Sequence, residues 1–349
     1  MAKKSRVLIV GCGGIGGVLA HHLARRSDVE LHVVSRNSEI TTTIQQTGLH
    51  LRGTEDGGPA EVPISTRIPE TSFDFVLLAT QPPAVVAAAQ EAAGHLRSQG
   101  AVVVLQNGLC EDAVAAEVGR ERVLGGIVTF GASAAEPGVV TRTSRGGIIL
   151  GSLVGPEDSR MHHLASLLST VGPITTTPNL IGARFAKLAL NCAVSTLGTV
   201  AGTSLGALLM SATARNLALE IMRETLRVAR ADGVVIEDVV GPLRMQWLAD
   251  PDAPAEGVGH WCRHGLLLMV GLKYRRLRSS MLRAIERGRP PAVGFLNGEV
   301  VNRGLRLGVP TPTNAAAIEA VDAIAGGRAQ PSMALLRGLA GQQPIEVSA

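Results

Sequence analysis

At 349 residues the chain exceeds the usual size of one domain, and two are expected. Hydrophobic residues make up 46% of it, yet there are only five Phe, two Trp and one Tyr, so its cores must be packed with aliphatic side chains. A net charge of +4 favours small anionic ligands, and the scarcity of aromatics excludes the basic, base-stacking surface of a nucleic-acid binder.

The N-terminus, Lys3 and Lys4 before the apolar stretch Val7 to Ala20, imitates the opening of a signal peptide. Five glycines within that stretch argue against an exported helix, and no uninterrupted apolar run reaches the roughly 20 residues of a membrane span. No membrane partner is therefore expected. Val7 to Val10, Leu31 to Val34, Phe75 to Ala79 and Val102 to Leu105 read as strands buried on both faces. Helices are expected between them at Gly14 to Arg26, Pro82 to His95 and Glu111 to Val118. This alternation is the signature of a parallel α/β sheet.

After Gly125 the pattern turns strand-rich, with Ile127 to Phe130, Val139 to Arg142 and Ile148 to Leu150 expected to close the same sheet. Pro173 to Asn179 reads as the last strand and the link onward. From Arg184 to about Gly326, Ala-, Leu- and Arg-rich segments keep helical spacing, and the tail from Gln330 is expected to be loosely ordered. The expected fold class is α/β: an N-terminal Rossmann-type doubly wound sheet over residues 1–178, then an all-α domain over 179–329. The tail covers 330–349.

Gly11, Gly13 and Gly16 form G-x-G-x-x-G after a buried-type strand and at the opening of a helix, with Cys12, Gly14 and Ile15 between them. The first glycine permits a tight turn, the second lets backbone approach a pyrophosphate, and the third lets helix and strand pack closely. The helix N-terminus then faces the phosphate charge. The second strand ends in Ser35-Arg36-Asn37, where an NAD enzyme carries an acid for the ribose; Arg36 suits a 2′-phosphate instead, and NADPH is the expected cofactor. A solvated arginine at a strand end is the alternative. Gln106-Asn107-Gly108 follows a strand at the sheet edge where such folds bind ligands, which makes Asn107 a candidate for the nicotinamide end; a plain Asn-Gly turn is the alternative there.

The cysteines Cys12, Cys110, Cys192 and Cys262 form no C-x-x-C pair, so neither a disulfide framework nor a zinc ribbon is indicated, and a cytoplasmic, reducing location is expected. His260, Cys262 and His264 do not make a metal site, because the i+2 side chain points away from the other two on a helix. The basic run Lys273 to Arg278 lies just before Ser280 and offers charges to a substrate carboxylate, although most of it reads as a solvated helix face.

Taken together, Gly11 to Gly16 with Arg36, then Gln106-Asn107-Gly108, then the block Phe185 to Cys192 make the chain resemble the ketopantoate reductases (2-dehydropantoate 2-reductases). The similarity continues through Ser279-Ser280-Met281-Leu282 and Phe295-Leu296-Asn297-Gly298 and covers residues 6 to 325. It implies Lys187 as general acid, Asn191 and Ser280 as substrate contacts, and Ala132 as backbone laid against the cofactor. A lysine can both stabilise the oxyanion formed as a ketone is reduced and protonate it. The i, i+4 spacing puts Lys187 and Asn191 on one helix face.

Several positions depart from the family pattern. Its Thr-Glu-hydrophobic-Asp is here Pro291-Ala292-Val293-Gly294, so a ligand-contacting glutamate is missing at Ala292. Its second asparagine is Ser195, its lysine after the third dinucleotide strand is Gln81, and a polar position before Ser280 is Leu277. Retained cofactor and lysine positions with altered substrate contacts fit a kept reaction type and a changed substrate. The expectation is an NADPH-dependent reductase of a small anionic 2-oxo acid, ketopantoate first. Another 2-oxo or 2-hydroxy acid, or a non-catalytic NADP-binding regulator, are the alternatives. A homodimer is compatible with the sequence.

Overall fold

The computed structural model describes residues 4–156, 158–238, 244–254 and 256–341, so Lys3 and residues 342–349 of the tail lie outside the described residues. The chain divides into two compact units, Met1–Leu180 and Ile181–Ala349.

The first unit runs β1 (Ser5–Val10), α1 (Gly14–Leu23), β2 (Val29–Val34), α2 (Ser38–Thr47), β3 (Leu49–Gly53), β4 (Gly58–Ala60), β5 (Ile64–Ser65) and β6 (Phe73–Leu78). A 3-10 turn at Pro82–Ala84 leads into α3 (Val85–Ala93), followed by β7 (Leu96–Val104), α4 (Glu111–Val118) and β8 (Val123–Val128). Then come β9 (Ala132–Glu136), β10 (Val139–Arg142), β11 (Ile148–Ser152), α5 (Ser159–Leu168) and β12 (Ile174–Thr176). Eight strands form one sheet in the order β12-β11-β8-β7-β6-β1-β2-β5, in which only β8 and β11 pair antiparallel. Chain direction across the sheet reverses between β1 and β6, the switch point at which doubly wound folds bind ligands.

Alternation along β1 explains why its run is apolar without a break. Val7 and Ile9 join Leu19 and Leu23 of α1 in one core, whereas Leu8 and Val10 join Val85 and Ala89 of α3 in the other. A strand covered on both faces has no side to leave polar.

Two sheet expectations are corrected. Val139–Arg142 forms a strand with the expected bounds, but it does not close the main sheet; it pairs with β3 and β9 in a separate sheet of order β4-β3-β10-β9. This second sheet packs on α1, where a Cβ at Gly17 would come within 2.4 Å of Val140 Cγ1. Buried Arg142 ties it in place by donating to Glu55 Oε1 and to the carbonyl of Val171, each at 2.7 Å, while lying over the Phe130 ring. The strand expected at Ile127 to Phe130 instead occupies Val123–Val128, because Gly125 and Gly126 lie inside it under the Leu180 and Leu105 side chains.

The second unit contains α6 (Leu180–Ala201), α7 (Leu205–Met210), α8 (Ala212–Ala231), α9 (Met245–Leu248), α10 (Val258–Lys273), α11 (Ser280–Glu286), α12 (Asn297–Leu307), α13 (Pro312–Ala325) and α14 (Met333–Gly341). Helices α12, α13 and α14 pack on α8, and α7 packs on α10. By length and composition α6 could cross a membrane, but 67% of its apolar window is buried within the protein. The tail expectation is corrected too. Residues 333–341 form a helix whose Leu336 is fully buried, and Ser332 N–H donates to the Val200 carbonyl at 2.8 Å. Leu335, Leu336 and Leu339 recur at helical spacing, which provides the apolar face that docks it.

Candidate functional site

In the first unit, the turn between β1 and α1 shows what each glycine is for. Gly11 has φ +104°, and a Cβ there would meet the Ala79 carbonyl and Thr80 N at 2.9 Å, so the strand ends β1 and β6 touch backbone to backbone. A Cβ at Gly16 would come within 1.9 Å of the Gly11 carbonyl oxygen, which forbids any side chain where helix and strand cross. Gly13 differs: nothing lies within 4 Å of its Cβ position, so backbone is open to an approaching group. Gly13 caps α1 without a side-chain bond, and the first turn holds no acidic residue, which leaves the positive end of the helix unopposed. Cys12 is buried, and desolvation pushes its thiol up to about 12, so it stays uncharged in this loop. These features fit a dinucleotide pyrophosphate.

Four other candidates surround the same strand ends. Ala132 begins β9, and a Cβ on Gly14 would lie 2.6 Å from its carbonyl carbon, so its backbone sits against the start of α1. Arg36, just past β2, is 70% exposed and donates to Glu91 Oε2 on α3 at 2.7 Å. An exposed pair of this kind is worth at most about 1 kcal/mol, so it holds the guanidinium near the strand end without locking it. Gln81 is exposed and precedes the 3-10 turn. Asn107 is exposed after β7, while its neighbour Gln106 is buried and donates to the Thr80 carbonyl at 3.1 Å, tying the ends of β6 and β7 together.

In the second unit, α6 carries the remaining candidates. Lys187, Asn191 and Ser195 are all half-buried and four residues apart, so at about 100° per residue they spread over about 80° of the helix. Fully buried Phe185, Ala186 and Ala189 flank Lys187. The Ser195 carbonyl accepts hydrogen bonds from Ser279 Oγ at 2.7 Å and Thr199 Oγ1 at 2.8 Å. Ser279, the N-cap of α11, is buried, whereas Ser280 is exposed at the first helical position. The structure therefore brings Ser195 and Ser279 together and leaves Ser280 on the surface of its unit.

Behind that face of α6 runs a buried polar network that sequence reading missed. Thr196 Oγ1 donates to Asn297 Oδ1 at 2.6 Å, and Asn297 Nδ2 donates to Asn314 Oδ1 at 2.9 Å. Asn314 Nδ2 in turn donates to Glu224 Oε2 at 2.7 Å. The Glu224 carboxylate also accepts the backbone N–H groups of Thr313 and Asn314 at 2.8 and 2.9 Å. It thus caps α13, whose own N-cap Thr311 makes no side-chain cap bond. Burial raises the carboxyl pKa of Glu224 above its usual range, against the lowering effect of these donors. Apart from Asn297 and Asn314, which are 17 residues apart, the partners lie 89 to 101 residues apart in sequence, so no local pattern announces them. Only Asn297, already noted in the Phe295 to Gly298 stretch, carried a signal. Asn37 was also readable, since it precedes a helical pattern; its Oδ1 accepts from Ile40 N at 3.2 Å and caps α2.

The profile described as "Ketopantoate reductase PanE/ApbA" matches residues 7–155, and its C-terminal counterpart matches 179–325. The chain is 25% identical over 310 residues to a 2-dehydropantoate 2-reductase of Pyrococcus abyssi, covering 88% of this chain and 94% of that enzyme. The structure of a PanE/ApbA family ketopantoate reductase from Ralstonia eutropha matches with a TM-score of 0.77 at 25% identity, covering 93% of this chain and 99% of the other. A D-mandelate dehydrogenase solved with NADH and anilino(oxo)acetate shares the fold, with a TM-score of 0.78 at 19% identity over 92% of this chain and 99% of the other.

Proposed function

Because this chain belongs to the ketopantoate reductase family and is an oxidoreductase acting on a CH–OH/C=O pair, we propose that it reduces a small anionic 2-oxo acid with NADPH. The leading reaction is 2-dehydropantoate to pantoate. The observation that carries this reading is Lys187, half-buried on α6 among fully buried apolar neighbours, with Asn191 one turn further on.

The residues that would hold the cofactor are Gly11, Cys12, Gly13, Gly14, Ile15 and Gly16 at the pyrophosphate, and Arg36 at the 2′-phosphate. Gln81, Asn107 and Ala132 would lie along the rest. Gly13, with its open Cβ direction, is the position where a side chain would intrude. When bound, the nicotinamide supplies the hydride. Lys187 Nζ donates a hydrogen bond to the substrate ketone oxygen, stabilises the negative charge that develops there, and then gives up its proton to it. Asn191 and Ser195 on the same face orient the substrate, with Ser280 as a further contact. Free cysteines Cys12, Cys110, Cys192 and Cys262 support a reducing, cytoplasmic setting.

A second reading keeps the chemistry and changes the acid. Ala292 opens a 3-10 turn at Ala292–Phe295 and brings a methyl group where the family has a carboxylate, so a substrate hydroxyl loses a partner. The test for both readings is NADPH oxidation by the full chain, followed spectrophotometrically, with 2-dehydropantoate and a panel of branched and aromatic 2-oxo acids. Turnover of 2-dehydropantoate above the others supports the leading reaction, and turnover of another acid supports the second. Tight NADPH binding without turnover of any would overturn both in favour of a non-catalytic regulator.

A further inference from the structure

We propose that Ser279 is a positioning residue: through the main-chain carbonyl of Ser195 it fixes where the neighbouring Ser280 stands relative to the Lys187, Asn191 and Ser195 face of α6. The inference rests on the reading of Ser195 and Ser280 as substrate contacts, and Ser279 acts through them rather than on the substrate. Ser279 is buried at the N-cap of α11, and Ser280 is the exposed first residue of that helix. Ser279 Oγ donates to the Ser195 carbonyl at 2.7 Å. One hydrogen bond and a few covalent bonds therefore join the two substrate-contact serines, which lie on different helices.

Bond lengths separate this role from that of an ordinary helix cap. As N-cap, Ser279 Oγ accepts from Leu282 N–H at 3.4 Å, a long contact, whereas its bond across to α6 is short. A third oxygen completes a triangle. Thr199 Oγ1 lies 2.8 Å from Ser279 Oγ and donates to the same Ser195 carbonyl at 2.8 Å. Two hydroxyl protons thus serve three oxygens, and the carbonyl, which carries none, is the acceptor on which both converge. Thr199 is fully buried and Ser279 is buried beside it, so water does not take the place of a lost bond.

The chain on either side is built for this contact. A Cβ at Gly198 would lie 3.4 Å from Ser279 Cβ, so a glycine on α6 lets the start of α11 come this close. Just before it, Arg278 forms an antiparallel bridge with Ser204, and Leu205 N–H donates to the Leu277 carbonyl at 2.8 Å. Those bonds anchor the segment at one point, the link between α6 and α7. Buried Met281 and Leu282 hold α11 against its unit, but apolar contact is non-directional. The Ser279 hydroxyl supplies the second directional anchor, and two anchors fix an orientation where one does not. Its removal displaces Ser280 and leaves Lys187, which belongs to α6 itself, in place. The effect falls on substrate affinity rather than on proton transfer.

The test compares variants of the full chain with the 2-oxo acid it turns over best. Ser279→Ala should raise KM for that acid about tenfold, the scale of one hydrogen bond, while kcat and NADPH affinity stay within about twofold. Ser279→Thr keeps the hydroxyl and should restore KM. Ser280→Ala should raise KM as well, and adding Ser279→Ala to it should change KM by less than about twofold, because the group that Ser279 positions is already gone. A merely structural role predicts that the two effects multiply, and that outcome overturns the proposal, as does an unchanged KM in Ser279→Ala. Should Ser279→Ala fail to fold, Ser279→Gly serves in its place, since glycine is nearly as good an N-cap and lacks the hydroxyl. Amide hydrogen exchange needs no turnover: α11 should exchange faster in the alanine variant and recover with threonine, and unchanged exchange overturns the tie to α6. Failure of the functional reading looks different. If no 2-oxo acid is turned over, or if Ser280→Ala leaves KM unaltered, Ser280 is not a substrate contact and the inference falls with that reading.

Discussion

Thr196 Oγ1 donates a 2.6 Å hydrogen bond to Oδ1 of Asn297, a residue 101 positions further along the chain. Nine residues after Lys187, Thr196 lies on the opposite side of α6, since nine steps of about 100° make two and a half turns. The bond therefore fixes α6 from behind, and through Asn314 it reaches the Glu224 carboxylate on α8.

Removing a member of this network should cost stability, because its partners are left buried and unpaired. Asn297→Leu and Glu224→Gln are each expected to lower unfolding free energy by about 1 to 3 kcal/mol. Urea denaturation checks this. A loss well below 1 kcal/mol for both would mean that the network is not cooperative.

Lys187→Ala should reduce turnover by about a hundredfold or more while leaving NADPH affinity almost unchanged. Cofactor binding by fluorescence beside single-turnover hydride transfer separates the two effects. Near-normal hydride transfer in a folded variant would remove Lys187 as the proton donor.

For Arg36 the expected outcome is a cofactor preference. A charge-assisted contact with the 2′-phosphate is worth about 1.5 to 3 kcal/mol, so Arg36→Ala should erase most of the preference for NADPH over NADH. Glu91→Gln, which releases Arg36 from its surface ion pair, should leave that preference intact or increase it slightly. Equal dissociation constants for the two cofactors in the unaltered protein would contradict the assignment.

Substrate choice should reflect Ala292. Sites that hydrogen-bond a substrate hydroxyl reject analogues lacking it by orders of magnitude. With a methyl group in place of the family carboxylate, kcat/KM for 2-dehydropantoate and its deoxy analogue should differ by less than about tenfold. A large preference for 2-dehydropantoate would point to another partner for the hydroxyl, such as Glu299 on α12.

Stability should fall in mild acid because of His264. This buried imidazole accepts a hydrogen bond at Nδ1 from Arg215 Nε at 3.0 Å. Burial first, then the neighbouring charges of His260, Arg215 and Arg223, lower its pKa from 6.5 to about 4. The sign follows from proton counts: between pH 6.5 and about 4 the unfolded chain binds a proton there that the folded chain refuses. Its contribution is full above pH 6.5 and is lost as pH falls toward 4, by up to about 1.4 kcal/mol per pH unit. His264→Gln should flatten that part of the profile of denaturation midpoint against pH, and an unchanged slope would show that other groups govern it.

What the sequence determined by itself was whatever depends on near neighbours. The strand, turn and helix around Gly11 to Gly16 were legible because the demands there, a positive φ at Gly11 and no room for a Cβ at Gly16, are met by residue type within a few positions. The shared face of Lys187 and Asn191 follows from helical period alone, and the aliphatic runs of β1 and β6 follow from burial on both sides of a sheet. Tertiary structure decided the rest. Whether Val139–Arg142 extends one sheet or builds another depends on its pairing with Leu49–Gly53, about ninety residues earlier. Whether Ser279 or Ser280 turns inward depends on the carbonyl of Ser195, and whether 333–341 is tail or helix depends on a core that takes up Leu336. The network from Thr196 to Glu224 joins four helices by hydrogen bonds whose ends are brought together only by packing. A hydrogen bond a hundred residues long in sequence has no period to betray it; it exists because burial leaves those polar groups no other partner.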